Sequence, residues 1–422
     1  MATRTAKPAT PHGTRGLSLI EILVGLVIGM IGIVVIFQVL AVSEDRKRTT
    51  VQGSDSQSAG SIALYSLQRD VQLGGYGFGG ADTKEIGCQV SAYNSARATQ
   101  SFTFRLYPIE IVQGAAGAPD AIRVLWGNAN YAVNRRAWTA GGGSSSAGVP
   151  MKRVVGGRGG LDYGDLLILT SDPAVAAVTT DCTLIQVTDR PTADPQEIGF
   201  DSDYTYNPGP PADTLGYGAT ATPQFNKPGG LPAMVPPFAA AAGFVLNLGN
   251  QPRQTVWSVA GNRLVVSENL FGPPAIPDVE AADGIVNLQA EYGIDRNNNQ
   301  LIEANEWTET APNNAVVPSD LANPCGDNPS RSWRCVRAIR VALLARSSQW
   351  DRTFCSPNPQ WTAGASGALV RTNFVMTNVD GAADTFGGCA ETPPDPNNWR
   401  RYRYSVYETV IPLRNMIWGT AP

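Results

Sequence analysis

The sequence predicts an α+β protein: a long N-terminal helix whose first half is transmembrane, followed by a β-rich, mainly antiparallel globular body with long loops. Three observations carry that prediction. Residues 17–42 form an almost uninterrupted apolar run behind a short basic stretch. The chain of 422 residues holds 44 Gly and 31 Pro, which call for many turns. Several later segments alternate apolar and polar residues with a period of two.

The N-terminal part divides at residue 16. Residues 1–16 are short, polar and basic, and Arg4, Lys7 and Arg15 precede Leu17 with no acid among them. The run over 17–42 is broken only by Ser18, Glu21, Gln38 and small residues, and it is long enough to cross a bilayer. The basic extension would stay on the cytoplasmic side, leaving the body outside the cytoplasm. No A-x-A pattern closes the run, as an ordinary secretory signal would require. A carboxylate inside such a run is costly unless neutralised or paired, so Glu21 asks for a partner. The bland alternative places it at headgroup level, favoured by the helix N-terminus. The helix is expected to extend over 17–74, about 85 Å at ~1.5 Å per residue, because no Pro interrupts it and Ile62, Leu64, Leu67 and Val71 recur at partly helical spacing. Gly25, Gly29 and Gly32 suit close helix packing.

Residues 75–422 read as strands and loops. Phe102, Phe104 and Leu106 alternate with polar neighbours, as do Ile122, Val124 and Trp126, and again Val286, Leu288, Ala290 and Tyr292. Residues 256–268, broken by Gly261-Asn262, predict a hairpin. Residues 337–346 are apolar on both faces and predict a central strand. Residues 141–148 and 207–237 are rich in Gly, Pro, Ser and Ala, and they could bound an inserted subdomain at about 130–250.

Composition narrows the chemistry. The single histidine, His12, lies in the basic extension, so the body has no imidazole for a Ser/His or Cys/His pair or a zinc site. Carboxylate-only hydrolysis survives that exclusion. Losing Arg4, Lys7 and Arg15 with the extension would take the formal charge from −4 to −7, which argues against nucleic-acid binding through bulk charge. The arginines at 331, 334, 337, 340, 346, 400, 401 and 403 read as one solvated and one packed strand face rather than a polyanion surface. The six cysteines, an even count in an oxidising compartment, predict disulfides. Cys325 with Cys335 and Cys355 with Cys389 would close short loops, leaving Cys88 with Cys182.

Gly16-Leu17-Ser18-Leu19-Ile20-Glu21 resembles the class III signal of type IV prepilins and type II secretion pseudopilins. The segment 66–77, ending Gly74-Gly75-Tyr76-Gly77, and the runs 336–346 and 404–415 are similar to PilW-like minor pilins, loosely so over 284–415. The resemblance implies that a prepilin peptidase cuts after Gly16 and that the new N-terminus at Leu17 is methylated. It further implies that Glu21 is the assembly residue, pairing with the terminal amine of a neighbouring Leu17. Leu17 stands where the family most often has Phe. The implied function is that of a minor pilin at or near the tip of a type IV pilus. There it would prime assembly and contact other minor pilins and the major pilin through the helix, together with a PilY-type tip adhesin. The implied location is the inner membrane before assembly and the extracellular filament or tip afterwards. A type II secretion minor pseudopilin and a membrane-anchored carboxylate-dependent hydrolase are the alternatives, and the expected role is not enzymatic.

One loop adds a cofactor expectation. Asp295, Asn297, Asn299, Leu301, Glu303 and Glu306 occupy the first, third, fifth, seventh, ninth and twelfth places of an EF-hand-type calcium loop. PilW-like proteins often carry a similar acidic loop after a Tyr-Gly-x-Asp strand end, here residues 292–295. Gln300 replaces the usual turn Gly, and a polar turn between strands is the competing reading.

Overall fold

The computed structural model describes residues 18–82, 84–115, 117–129, 134–140, 151–172, 181–190, 194–202, 223–268, 278–312, 333–361 and 372–418. The chain divides into two compact units, Met1–Ser54 and Asp55–Pro422. Helix α1 (Leu19–Val71) supplies the described part of the first unit and the opening of the second. In the first unit every described side chain from 18 to 44 is exposed.

Within the second unit α1 turns Ala63, Leu67 and Val71 inward, all fully buried, with Gly60 against the ring of Tyr407. This i, i+3, i+7, i+11 stripe corrects the expected one: Ile62 is 56% exposed because it lies about 100° around the helix from Ala63. The small residues Gly60 and Ala63, rather than the bulkier Ile62, set the packed face.

The described residues then form three sheets of four or more strands. The first has eight strands in the order β2 (Ser101–Arg105), β1 (Gln89–Tyr93), β8 (Cys182–Gln186), β7 (Leu166–Ser171), β10 (Ala242–Gly249), β5 (Arg136–Ala140), β6 (Met151–Val154) and β9 (Glu197–Gly199). The second has the order β13 (Val279–Asp283), β12 (Arg263–Glu268), β11 (Arg253–Ala260), β4 (Ala121–Trp126) and β3 (Ile109–Val112). The third has the order β15 (Trp307–Thr308), β14 (Ile285–Ile294), β16 (Val336–Arg346) and β19 (Tyr404–Pro412). A two-stranded ribbon pairs β17 (Gln360–Trp361) with β18 (Thr372–Asn373), and a short helix α2 (Arg414–Trp418) follows the last strand. Among these pairs β1 with β8 is parallel and the others are antiparallel. A helix followed by a mainly antiparallel body is the fold class the sequence predicts.

Periodicity explains the strands locally. The β11–β12 hairpin turns through Gly261 and Asn262, both at positive φ (58° and 63°), with Ala260 opposite Arg263. This two-residue turn twists with the flanking strands. Strand β16 is central in its sheet and buried on both faces. Ile339, Val341, Leu343 and Ala345 join the main core, while Ala342 and Leu344 face a smaller cluster with Trp361 and Phe374. Strand β7 is likewise double-faced: Leu166 and Ile168 enter the main core, and Leu167 and Leu169 enter a second core with Trp138, Val154, Ile198 and Val245. Each fully buried Leu or Ile contributes roughly 1.5–3 kcal/mol, so these two strands are major contributors to the body. In β14 the expected alternation breaks once. A register shift between Ile285 and Asn287 puts Ile285 with Leu288, Ala290 and Tyr292 in the main core, and Val286 packs on the opposite cluster.

Candidate functional site

The first turn of α1 settles where the Glu21 carboxylate rests in the isolated chain. The Ser18 N–H donates to Glu21 Oε2 at 3.3 Å, and the N–H groups of Glu21 and Ile22 donate to the Ser18 carbonyl at 2.9 and 3.2 Å. Ser18 is therefore the N-cap and Glu21 the third helical residue, which reaches back to satisfy one of the donors a helix start leaves over. Ser18-x-x-Glu21 is a capping-box spacing, a signal present in the sequence beside the membrane reading. From Leu19 to Glu44 the helix is 26 residues long, apolar enough to cross a membrane and unburied throughout. Glu21 and Glu44 are its only charges. Gly16 and Leu17 lie outside the described residues, as does His12.

In the second unit the end of α1 is held by polar contacts the sequence did not disclose. Asp70 accepts hydrogen bonds from Trp126 Nε1 at 3.2 Å, from Trp257 Nε1 at 2.6 Å and from the Thr255 hydroxyl. One helix carboxylate thus joins β4 and β11. One turn later Asn415 Nδ2 donates to the carbonyls of Gln72, Leu73 and Gly74 at 3.3, 3.1 and 3.2 Å. Those carbonyls follow the last helical turn and would otherwise need water or a glycine cap. Gly75, at φ 82°, then turns the chain so that its N–H meets the Leu125 carbonyl at 2.9 Å. The helix end is clamped by a residue 341 to 343 positions away, a pairing no local pattern can announce.

The loop expected to bind calcium is self-satisfied. Asp295, fully buried, accepts the N–H groups of Asn299 and Gln300 at 3.0 and 2.9 Å, and its carboxylate lies 3.7 Å from Arg337 Nε. Asn297 accepts from the Asn299 N–H at 3.0 Å, and Asn299 accepts from the Leu301 N–H at 2.8 Å. Glu306 takes the N–H groups of Arg296 and Glu303 at 2.8 and 2.9 Å, forming a capping box with Glu303 over the turn Ala304–Glu306. Gln300 adopts φ 68°, the left-handed conformation for which such loops use Gly. The donor chemistry suits a hard cation; these oxygens already accept backbone N–H groups, and Arg337 lies beside Asp295. No three His, Cys, Asp or Glu side chains gather as a metal set among the described residues.

The cysteines pair as expected where they are described. Cys88 joins Cys182 beside the parallel β1–β8 pair, and Cys355 joins Cys389. Cys335 is disulfide-bonded, and Cys325 lies outside the described residues. Around the Cys355–Cys389 bridge, Arg401 is the organiser: Nε contacts Glu391 at 2.9 Å, Nη1 donates to the Arg352 carbonyl at 2.8 Å and Nη2 to the Cys389 carbonyl at 2.7 Å. Burial would raise the Glu391 carboxyl, but the hydrogen bonds from Arg401 and Asn398 outweigh it and hold the group at about 2. The other arginines of this region are similarly engaged. Arg340 pairs with Glu291 beneath Trp307 and Trp361, Arg346 covers Tyr402, Arg400 binds Asp384, and Arg403 binds Asp351. Arg331 lies outside the described residues.

Residues 275–415 match the family model described as Type IV Pilus-assembly protein W. The matched segment contains the third sheet, the 295–306 loop and the Cys355–Cys389 bridge, and it ends on Asn415, the residue that clamps the helix terminus. No curated protein and no solved structure matches the chain. The match ties the third sheet and its loops to type IV pilus assembly. A mainly antiparallel body carrying one apolar N-terminal helix fits membrane anchoring.

Proposed function

We propose that this chain is a minor pilin of a type IV pilus, seated at or near the tip, where it primes assembly and links other minor pilins to a PilY-type adhesin. The observation that carries this reading is the unburied apolar helix Leu19–Glu44 with one carboxylate in its first turn. Such a surface requires lipid before assembly and neighbouring apolar helices afterwards. The family match over 275–415 supports the pilus setting. In this reading a prepilin peptidase cuts after Gly16, Leu17 becomes the methylated N-terminus, and its amine on a neighbouring subunit takes over the Glu21 carboxylate from the Ser18 N–H.

The test is made in cells carrying the full chain. Gly16→Val should keep the leader and leave the protein in the inner membrane. Glu21→Ala should be cleaved yet appear only weakly in sheared pili, because the filament contact is lost while the leader site is intact. A mature N-terminus other than Leu17 by mass spectrometry refutes the processing step. Defective secretion of enzymes with normal pili would instead support the pseudopilin reading.

A calcium role for the 295–306 loop is a separate proposal. Binding would require Glu306 to leave its capping box and Arg337 to yield its place beside Asp295, so the affinity should be weak, at ~10⁻⁴ to 10⁻³ M.

A further inference from the structure

The second unit holds a cleft of about 410 Å³ whose walls come from the loop after β1, from β2, β3 and β4, and from Gln254 on β11. All of these residues lie outside the 275–415 segment, so the family match assigns the cleft nothing.

Its charge is unusual for a chain of formal charge −4. Among the described residues Arg97, Arg105 and Arg123 line it with one carboxylate, Glu110, which is paired with Arg123 at 2.9 Å. Arg105 gives one hydrogen bond to the Gly87 carbonyl at 3.2 Å. A guanidinium has five N–H donors, so one contact each leaves Arg105 and Arg123 able to grip a carboxylate with a fork of donors. The aromatic wall is rigid: Tyr107 stacks on buried Trp333 at 3.9 Å, and Phe102 lies under the Arg97 guanidinium at 4.3 Å. Gln254 adds an amide to the lining. Guanidinium groups on the lining, an aromatic ring and one amide suit a compact ring that carries an acid and hydroxyls. A cavity of this volume takes a small ligand rather than an extended chain.

We propose that this cleft binds an acidic sugar residue, with Arg105 and Arg123 on its carboxylate, Tyr107 against its ring, and Gln254 on a hydroxyl. The proposal does not depend on where the chain sits in a filament. It is tested on the full chain in detergent by calorimetry with glucuronate, glucose, glutarate and a tetraglutamate peptide. Glucuronate should bind at least ~10-fold tighter than the other three. Arg105→Gln should weaken it by roughly 10- to 100-fold, the effect of losing a charged hydrogen-bond donor. Glu110→Gln should strengthen it, because Arg123 is released, and a misfolded variant could not produce that gain. Equal binding of glutarate or tetraglutamate would overturn the sugar assignment in favour of a plain anion or an acidic peptide. Equal binding of glucose, no glucuronate binding at about 10 mM, or an unchanged affinity in Arg105→Gln would overturn the site itself.

Discussion

Replacing Asp70 with Ala should loosen the helix from its body by an amount the geometry sets. The carboxylate serves three donors: the indole N–H groups of Trp126 and Trp257 and the Thr255 hydroxyl. Trp257 is 5% exposed, so its N–H would be left buried without an acceptor, at about 1–3 kcal/mol. Trp126 and Thr255 are half-buried and can recruit water, so about 0.5–1 kcal/mol each is appropriate. Against this, Ala is the better helix former by about 0.7 kcal/mol. The net loss is about 1–4 kcal/mol. Unfolding entropy of ~2.1 cal/mol/K per residue, over the roughly 370 residues from Asp55 to Pro422, converts that to a fall in Tm of about 2–6 °C. Calorimetry of the full chain in detergent reads it directly. The same substitution made in a Trp257→Phe background should cost less, since the buried donor has already gone. A Tm within about 1 °C of the parent, or equal losses in both backgrounds, refutes the role given to Asp70.

Gly60→Ala should destabilise: helix propensity favours it by about 1 kcal/mol, but the added Cβ would lie 2.3 Å from Tyr407 ring carbons, and overpacking of that kind costs about 1–3 kcal/mol. In a Tyr407→Leu background the sign should reverse, and urea midpoints of the four variants check this. Asp120 predicts an acid-side gain in stability. Burial outweighs the N–H groups of Gly114 and Ala290 and lifts its pKa from 3.8 to about 6. The folded state then binds more protons than the unfolded between those values, so this group's contribution rises as pH falls from about 6 to 4, by up to about 3 kcal/mol. Comparing Tm against pH for the parent and Asp120→Asn isolates that slope; identical slopes would refute it. Calcium at about 10 mM should raise the parent Tm and leave Glu306→Gln unmoved, whereas no shift in the parent leaves the 295–306 loop a polar turn.

What the sequence determined was local. The apolar run, the central strand β16 and the Gly261-Asn262 turn each depend on neighbours in the chain, and periods of 3.6 and 2 and the turn residues report them. The alternation around Leu288 was legible too, but the bulge at Val286 was not, because an inserted residue changes which face a side chain occupies without changing its type. Tertiary structure alone decided the sheet order, including the parallel β1–β8 pair. It alone brought Trp126, Thr255 and Trp257 to Asp70 and Asn415 to the end of α1. It also set Arg105 and Arg123 across one cleft while drawing Arg337 onto Asp295 in the loop the spacing had marked for calcium. A buried polar group is stabilised by whichever donor or acceptor folding carries to it. That partner can lie hundreds of residues away, where no period of the chain records it.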